Sequence, residues 1–116
     1  MQNVQQKFDQ LLVEAIDEVL CFYGEPVKNH IYMLLEDNFS ITKNNLPQQI
    51  QEFSRLLYRL FGSHAKLIEI KCMKKFYSKI KNEPQIGKLT IKIEGDNLTF
   101  LDYINKFTSQ TLSKPL

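Results

Sequence analysis

The stretch that decides the fold is Gly24-Glu25-Pro26-Val27-Lys28-Asn29-His30-Ile31-Tyr32-Met33-Leu34-Leu35-Glu36-Asp37-Asn38-Phe39-Ser40. Together with Leu46-Pro47 and Gly62-Ser63, it punctuates an apolar helical pattern at three places. Gly24 supplies the left-handed backbone that commonly closes a helix, because it has no Cβ to clash. Pro26 follows as a helix opener, since its missing N–H costs nothing in a first turn. Val27, Ile31, Leu34 and Leu35 then point inward until the pattern fades at Asn38-Phe39-Ser40.

Working outward, residues 4–23 place Phe8, Leu12, Ala15, Ile16, Val19, Leu20 and Tyr23 at three- and four-residue steps, one face of a first helix. Thr42, Lys43, Asn44 and Asn45 read as a connector that satisfies its own backbone. A third helix is expected to start at Pro47, with Leu46 packing back on it. Ile50, Phe53, Leu57, Leu60 and Phe61 repeat regularly, and Gly62 ends the run. Ser63 is expected to cap a fourth helix over about 64–81, with Ala65, Ile68, Cys72, Phe76 and Ile80 as its ridge and Met73 and Tyr77 beside it. Leu67–Cys72 also alternates like a strand, but the helical pattern on both sides decides for helix.

After Asn82-Glu83-Pro84 the period changes. Leu89, Ile91 and Ile93 alternate with Lys88, Thr90, Lys92 and Glu94, the mark of a half-buried strand. Gly95-Asp96-Asn97 makes a turn. Thr99 and Asp102 have capping-box spacing before Phe100, Leu101, Ile104, Phe107 and Leu112, a final short helix; a hairpin return through Leu98–Leu101 competes. A lone strand needs a partner for its backbone. Leu89, Ile91 and Ile93 are therefore candidates to pair with their copies in a two-fold dimer. The expected architecture is mainly α: a four-helix core over 1–82, then an extension over 83–116 that packs on the core or on a second subunit.

Composition bounds function by exclusion. The chain has 116 residues, 43% hydrophobic and 24% charged, which suits one globular domain. Neither a bilayer-crossing run nor a signal peptide is legible, so a cytoplasmic protein is expected. Cys21 and Cys72 sit beside apolar residues, fail every zinc spacing, and are expected to be free and buried. His30 and His64 lack a second ligand at i+3 or i+4. The acidic pairs Asp17-Glu18 and Glu36-Asp37 share one solvated environment each, unlike catalytic carboxylates. Scattered glycines exclude a phosphate loop. Phe22-Tyr23 and Phe76-Tyr77 each place one ring inward and the other near the boundary. No catalytic, cofactor or metal residue is expected.

Charge is the informative polar feature. Residues 1–62 carry five basic and eight acidic side chains, a balance of −3; residues 63–116 carry ten and five, a balance of +5. Lys71, Lys75 and Lys79 fall at i, i+4 and i+8, flanked by Lys74 and Lys81. Lys71, Lys74, Lys75 and Lys79 are the candidate contacts for an acidic protein partner or for nucleic acid, set against the ordinary reading of a soluble lysine face.

The order of these motifs is similar to a small archaeal family, the Nitrosopumilus output domain. The likeness rests on Ala15-Ile16, Gly24–Tyr32, Leu35-Glu36, Ile41, Leu46-Pro47, Phe53, Leu60-Phe61-Gly62, Ala65-Lys66 and Ile68-Glu69, over about 8–80. The resemblance implies an all-helical signalling-output or adaptor module that works by protein contact, with no catalytic residue to carry over. Residues 83–116 depart from that pattern.

Overall fold

In the computed structural model, residues 4–82, 100–102, 104 and 105 are described. Within residues 4–82 four helices follow one another: α1 (Val4–Phe22), α2 (Glu25–Phe39), α3 (Ile50–Phe61) and α4 (His64–Ile80), with a 3-10 turn, Leu46–Gln49, ahead of α3. The mainly helical reading holds. No strand occurs among the described residues; the strand expected over 88–94, with Leu89, Ile91 and Ile93, lies outside them, as do Thr99 and Leu112.

α1 and α4 form the most extensive helix pair, and α2 and α3 pack around it. The ridge Ala65, Ile68, Cys72, Phe76 and Ile80 is buried against Phe8, Leu12, Ala15, Ile16, Val19 and Leu20. The Phe8 and Phe76 rings meet edge to face, centroids 5.0 Å apart, an arrangement favoured by their quadrupoles. Phe100 and Ile104, from the helical residues near the C-terminal end, are buried in the same core, and Phe100 stands edge-on to Phe53.

The junctions differ from expectation in instructive ways. Gly24 has φ 109° and ψ 148°, an extended positive-φ conformation rather than the left-handed helical one, and α2 begins one residue before Pro26. Glu25 thus sits in the first turn, where a negative charge suits the helix dipole. α2 does not fade: Ser40 closes it in the left-handed region at φ 56°, its amide bonding the Glu36 carbonyl and the next amide, of Ile41, bonding Leu35. Asn45 then ties the connector, its Oδ1 accepting from the Thr42 amide at 2.8 Å.

Pro47 opens the 3-10 turn, not α3, because Gln49 at φ −126°, ψ 33° interrupts the helical run. Leu46 is buried as expected. Ser63 is not a capping residue. Its backbone is helical, its hydroxyl makes no capping bond, and the Gly62 carbonyl takes the Ala65 amide instead. Leu60, expected on the inward face, is exposed, whereas Leu56 and Leu57 are buried.

Of the side chains at the end of α1, one turns out differently. Cys21 is free but exposed, because it follows Asp17 by one turn on the polar arc; Cys72 is free and buried. Phe22 follows Glu18 by one turn and is 76% exposed, whereas Tyr23 packs on the core. No described helix is long and apolar enough to cross a membrane.

Candidate interaction surface between the first and fourth helices

Three of the four candidate lysines line one groove. Lys71, Lys74 and Lys75 of α4 face Glu18, Val19 and Phe22 of α1 around a cleft of about 420 Å³. The i, i+3, i+4 spacing puts them on one side of α4, and the α1–α4 pairing sets that side beside the C-terminal turn of α1.

The lysines are not equivalent. Lys79, one turn beyond the groove, pairs with both Glu14 and Glu18 of α1. The Glu18 hydrogen bond is the main cause that raises its pKa above the ordinary lysine value, and nearby Glu14 adds to it. Lys75 lies 3.9 Å from Glu18. Lys71 makes no ion pair among the described residues; its Nζ sits 4.5 Å from the Phe22 ring centroid and 5.0 Å from that of Tyr23. It also donates a hydrogen bond to the Tyr23 hydroxyl at 3.1 Å. Lys74 is exposed and pairs with no acid among the described residues.

The aromatic side of the groove is itself ordered. Phe22 and Tyr23 stand edge to face at 5.5 Å, and Tyr23 stands edge to face with His64 at 5.9 Å. His64 therefore belongs to the wall supporting Tyr23, with its Nε2 3.4 Å from the Tyr23 hydroxyl. His30 is exposed on α2. The three- and four-residue steps set Tyr23 on the inward face and left Phe22 off it; the 76% exposure of Phe22 goes beyond the boundary position expected for it.

Two further polar clusters brace the bundle. Asp17 accepts from the Tyr32 hydroxyl at 2.9 Å and faces Lys43 at 3.3 Å and Lys28 at 3.9 Å. Burial pushes its pKa up, but Tyr32, Lys43 and Lys28 together outweigh that and hold it below the usual carboxylate value. Burial, then the Asp17 hydrogen bond, drives the Tyr32 pKa strongly upward. Glu69, only 2% exposed, is the second cluster; its Oε2 accepts from Ser54 Oγ at 3.0 Å and its Oε1 from the Phe100 amide at 3.2 Å. A glutamate amid helical spacing reads as polar face in the sequence, so nothing there signalled its burial.

Among the described residues no cluster of three or more His, Cys, Asp or Glu side chains has metal-binding geometry. No family model, curated protein or solved structure matches the chain.

Proposed function

We propose that the chain is a non-enzymatic cytoplasmic protein-interaction module of the signalling-output or adaptor kind. Its α1–α4 groove takes an acidic segment of a protein partner that also carries an apolar side chain. The observation behind this reading is Phe22, a large ring 76% exposed at the groove's edge with the Lys71 ammonium against its face. Burying such a ring on association is favourable at about 25 cal/mol per Å², and aromatic anchors flanked by cations are typical of interface hot spots. Lys74, which pairs with no acid among the described residues, adds positive charge beside it, which suits a carboxylate on the partner.

Nucleic acid is the second reading, carried by the same lysines. It is the weaker one because Lys75 and Lys79 already face Glu18 and Glu14, so a phosphate would compete with those carboxylates. The archaeal resemblance favours an adaptor, and self-association through Leu89, Ile91 and Ile93 completes the proposal: a dimer presenting two grooves.

Affinity capture from native lysate, divided into nuclease-treated and untreated halves, tests the reading. A stoichiometric protein that survives nuclease and is lost with Phe22→Ala supports it. Recovery of nucleic acid that persists in Phe22→Ala but disappears in Lys71→Gln/Lys75→Gln/Lys79→Gln overturns it in favour of the alternative. The dimer is checked by sedimentation, where Ile91→Lys should yield monomer; an unchanged sedimentation coefficient would reject the strand contact.

A further inference from the structure

The only two arginines of the chain, Arg55 and Arg59, fall one turn apart on α3 and line the same groove, away from the lysines. This groove, about 660 Å³, runs between α3, Glu69 of α4 and Leu101. Its volume lies within the roughly 300–1,000 Å³ of ordinary small-molecule sites. Arg55 reaches Glu52 at 3.3 Å, an exposed i, i+3 pair of small strength. Arg59 pairs with no acid among the described residues. Between them Tyr58 leaves 44% of its surface open.

The chemistry of these groups is directional. A guanidinium presents a planar fork that matches a carboxylate or phosphate through two parallel hydrogen bonds, which an ammonium does not. A chain that otherwise uses lysine for every positive charge places both its forks here. Glu69 forms part of the floor, but both its oxygens already accept hydrogen bonds. Its charge repels an anion from the depth of the groove and leaves the rim, with the arginines, as the favourable place. The floor there also offers the apolar Leu101.

We infer that this groove binds a small organic anion. Its carboxylate or phosphate head bridges Arg55 and Arg59, and its flat apolar body lies against Tyr58 and Leu101. The site shares no residue with the α1–α4 groove and does not depend on the role proposed for that surface.

Amide chemical-shift mapping of the full chain tests it, with benzoate and phenyl phosphate as probes and benzyl alcohol as their neutral counterpart. Saturable shifts are expected at Ser54, Arg55, Tyr58 and Arg59 with millimolar probe. Binding should weaken at least tenfold in Arg55→Gln/Arg59→Gln and several-fold in Arg55→Lys/Arg59→Lys, while spectra elsewhere report an unchanged fold. Non-saturating shifts, equal binding of benzyl alcohol, or undiminished binding in the Gln pair would overturn the site. Shifts centred on Lys71, Lys74 and Lys75 would overturn it equally, as general attraction of anions. Full retention in the Lys pair would reject recognition through the arginine forks.

Discussion

The Glu69 carboxylate holds the Phe100 amide at 3.2 Å across 31 positions of sequence. A buried amide needs an acceptor, and here the Glu69 carboxyl of α4 supplies one. Ser54 of α3 completes the arrangement, so one side chain joins α3, α4 and the helical residues at 100–105.

Glu69→Ala therefore leaves a buried donor unsatisfied, which costs on the order of 1–3 kcal/mol. Glu69→Gln retains an acceptor and should cost less. Urea unfolding measures both, and hydrogen exchange at Phe100 should accelerate more in the alanine variant than in the glutamine one. Equal stability of Glu69→Ala and the parent would contradict this account.

Two backbone positions make opposite predictions. Gly24→Ala places a Cβ at φ 109°; its nearest neighbour, Pro26 Cδ at 3.8 Å, leaves room. The cost of about 1–3 kcal/mol comes from the backbone alone. Ser40→Gly relieves a left-handed residue, offset in part by the greater freedom of glycine when unfolded. It should leave stability unchanged or raise it by up to about 1 kcal/mol. Thermal denaturation distinguishes the two.

Acid stability should depend on Asp17. Its folded pKa lies below the unfolded one, so its contribution is complete above about pH 4 and is lost as pH falls through the folded value. Asp17→Asn should lower stability at pH 7 and flatten the acid limb. Asp9 behaves oppositely. Burial raises its pKa despite hydrogen bonds from Gln5 and Gln48, so its charged form opposes folding and stability gains as pH falls through its folded value; Asp9→Asn should remove that gain and steepen the acid decline. Unfolding free energies between pH 2 and 7 test both.

The two thiols should separate by accessibility. Burial, with Glu69 adding to it, pushes the Cys72 thiol far up, and the side chain is enclosed in the core. A thiol reagent at pH 8 should modify Cys21 rapidly and Cys72 only after denaturant is added. Rapid modification of both would show that the α1–α4 seam opens readily.

How much of this was legible follows from the physics of each residue. The helices and the ridge Ala65–Ile80 were readable because burial imposes a 3–4 period on apolar residues. Gly24 and Gly62 were readable as boundaries because positive φ excludes other side chains. Tyr23 was readable as the inward ring of its pair because it continues the arc of Val19 and Leu20, which leaves Phe22 outward. The Ser63 cap failed because the Gly62 and Ser63 carbonyls take the Ala65 and Lys66 amides. Glu69 was invisible, since a charge at a buried position depends on Phe100 and Ser54, neither of which local spacing can bring near. For the same reason the Arg55–Arg59 groove needed the third dimension, its far wall coming from residue 101.

The dominance of the α1–α4 pair carries a consequence for synthesis. The N-terminal helix emerges first, yet its main packing surface ends at Ile80, about 60 residues later. At translation speeds of roughly 5–20 residues per second, the stripe from Phe8 to Leu20 waits roughly 3–12 s for its mate. During that interval α2 and the Leu46–Gln49 turn are the neighbours already made, and they cover part of the stripe. The main burial of α1 is therefore delayed until α4 has cleared the tunnel.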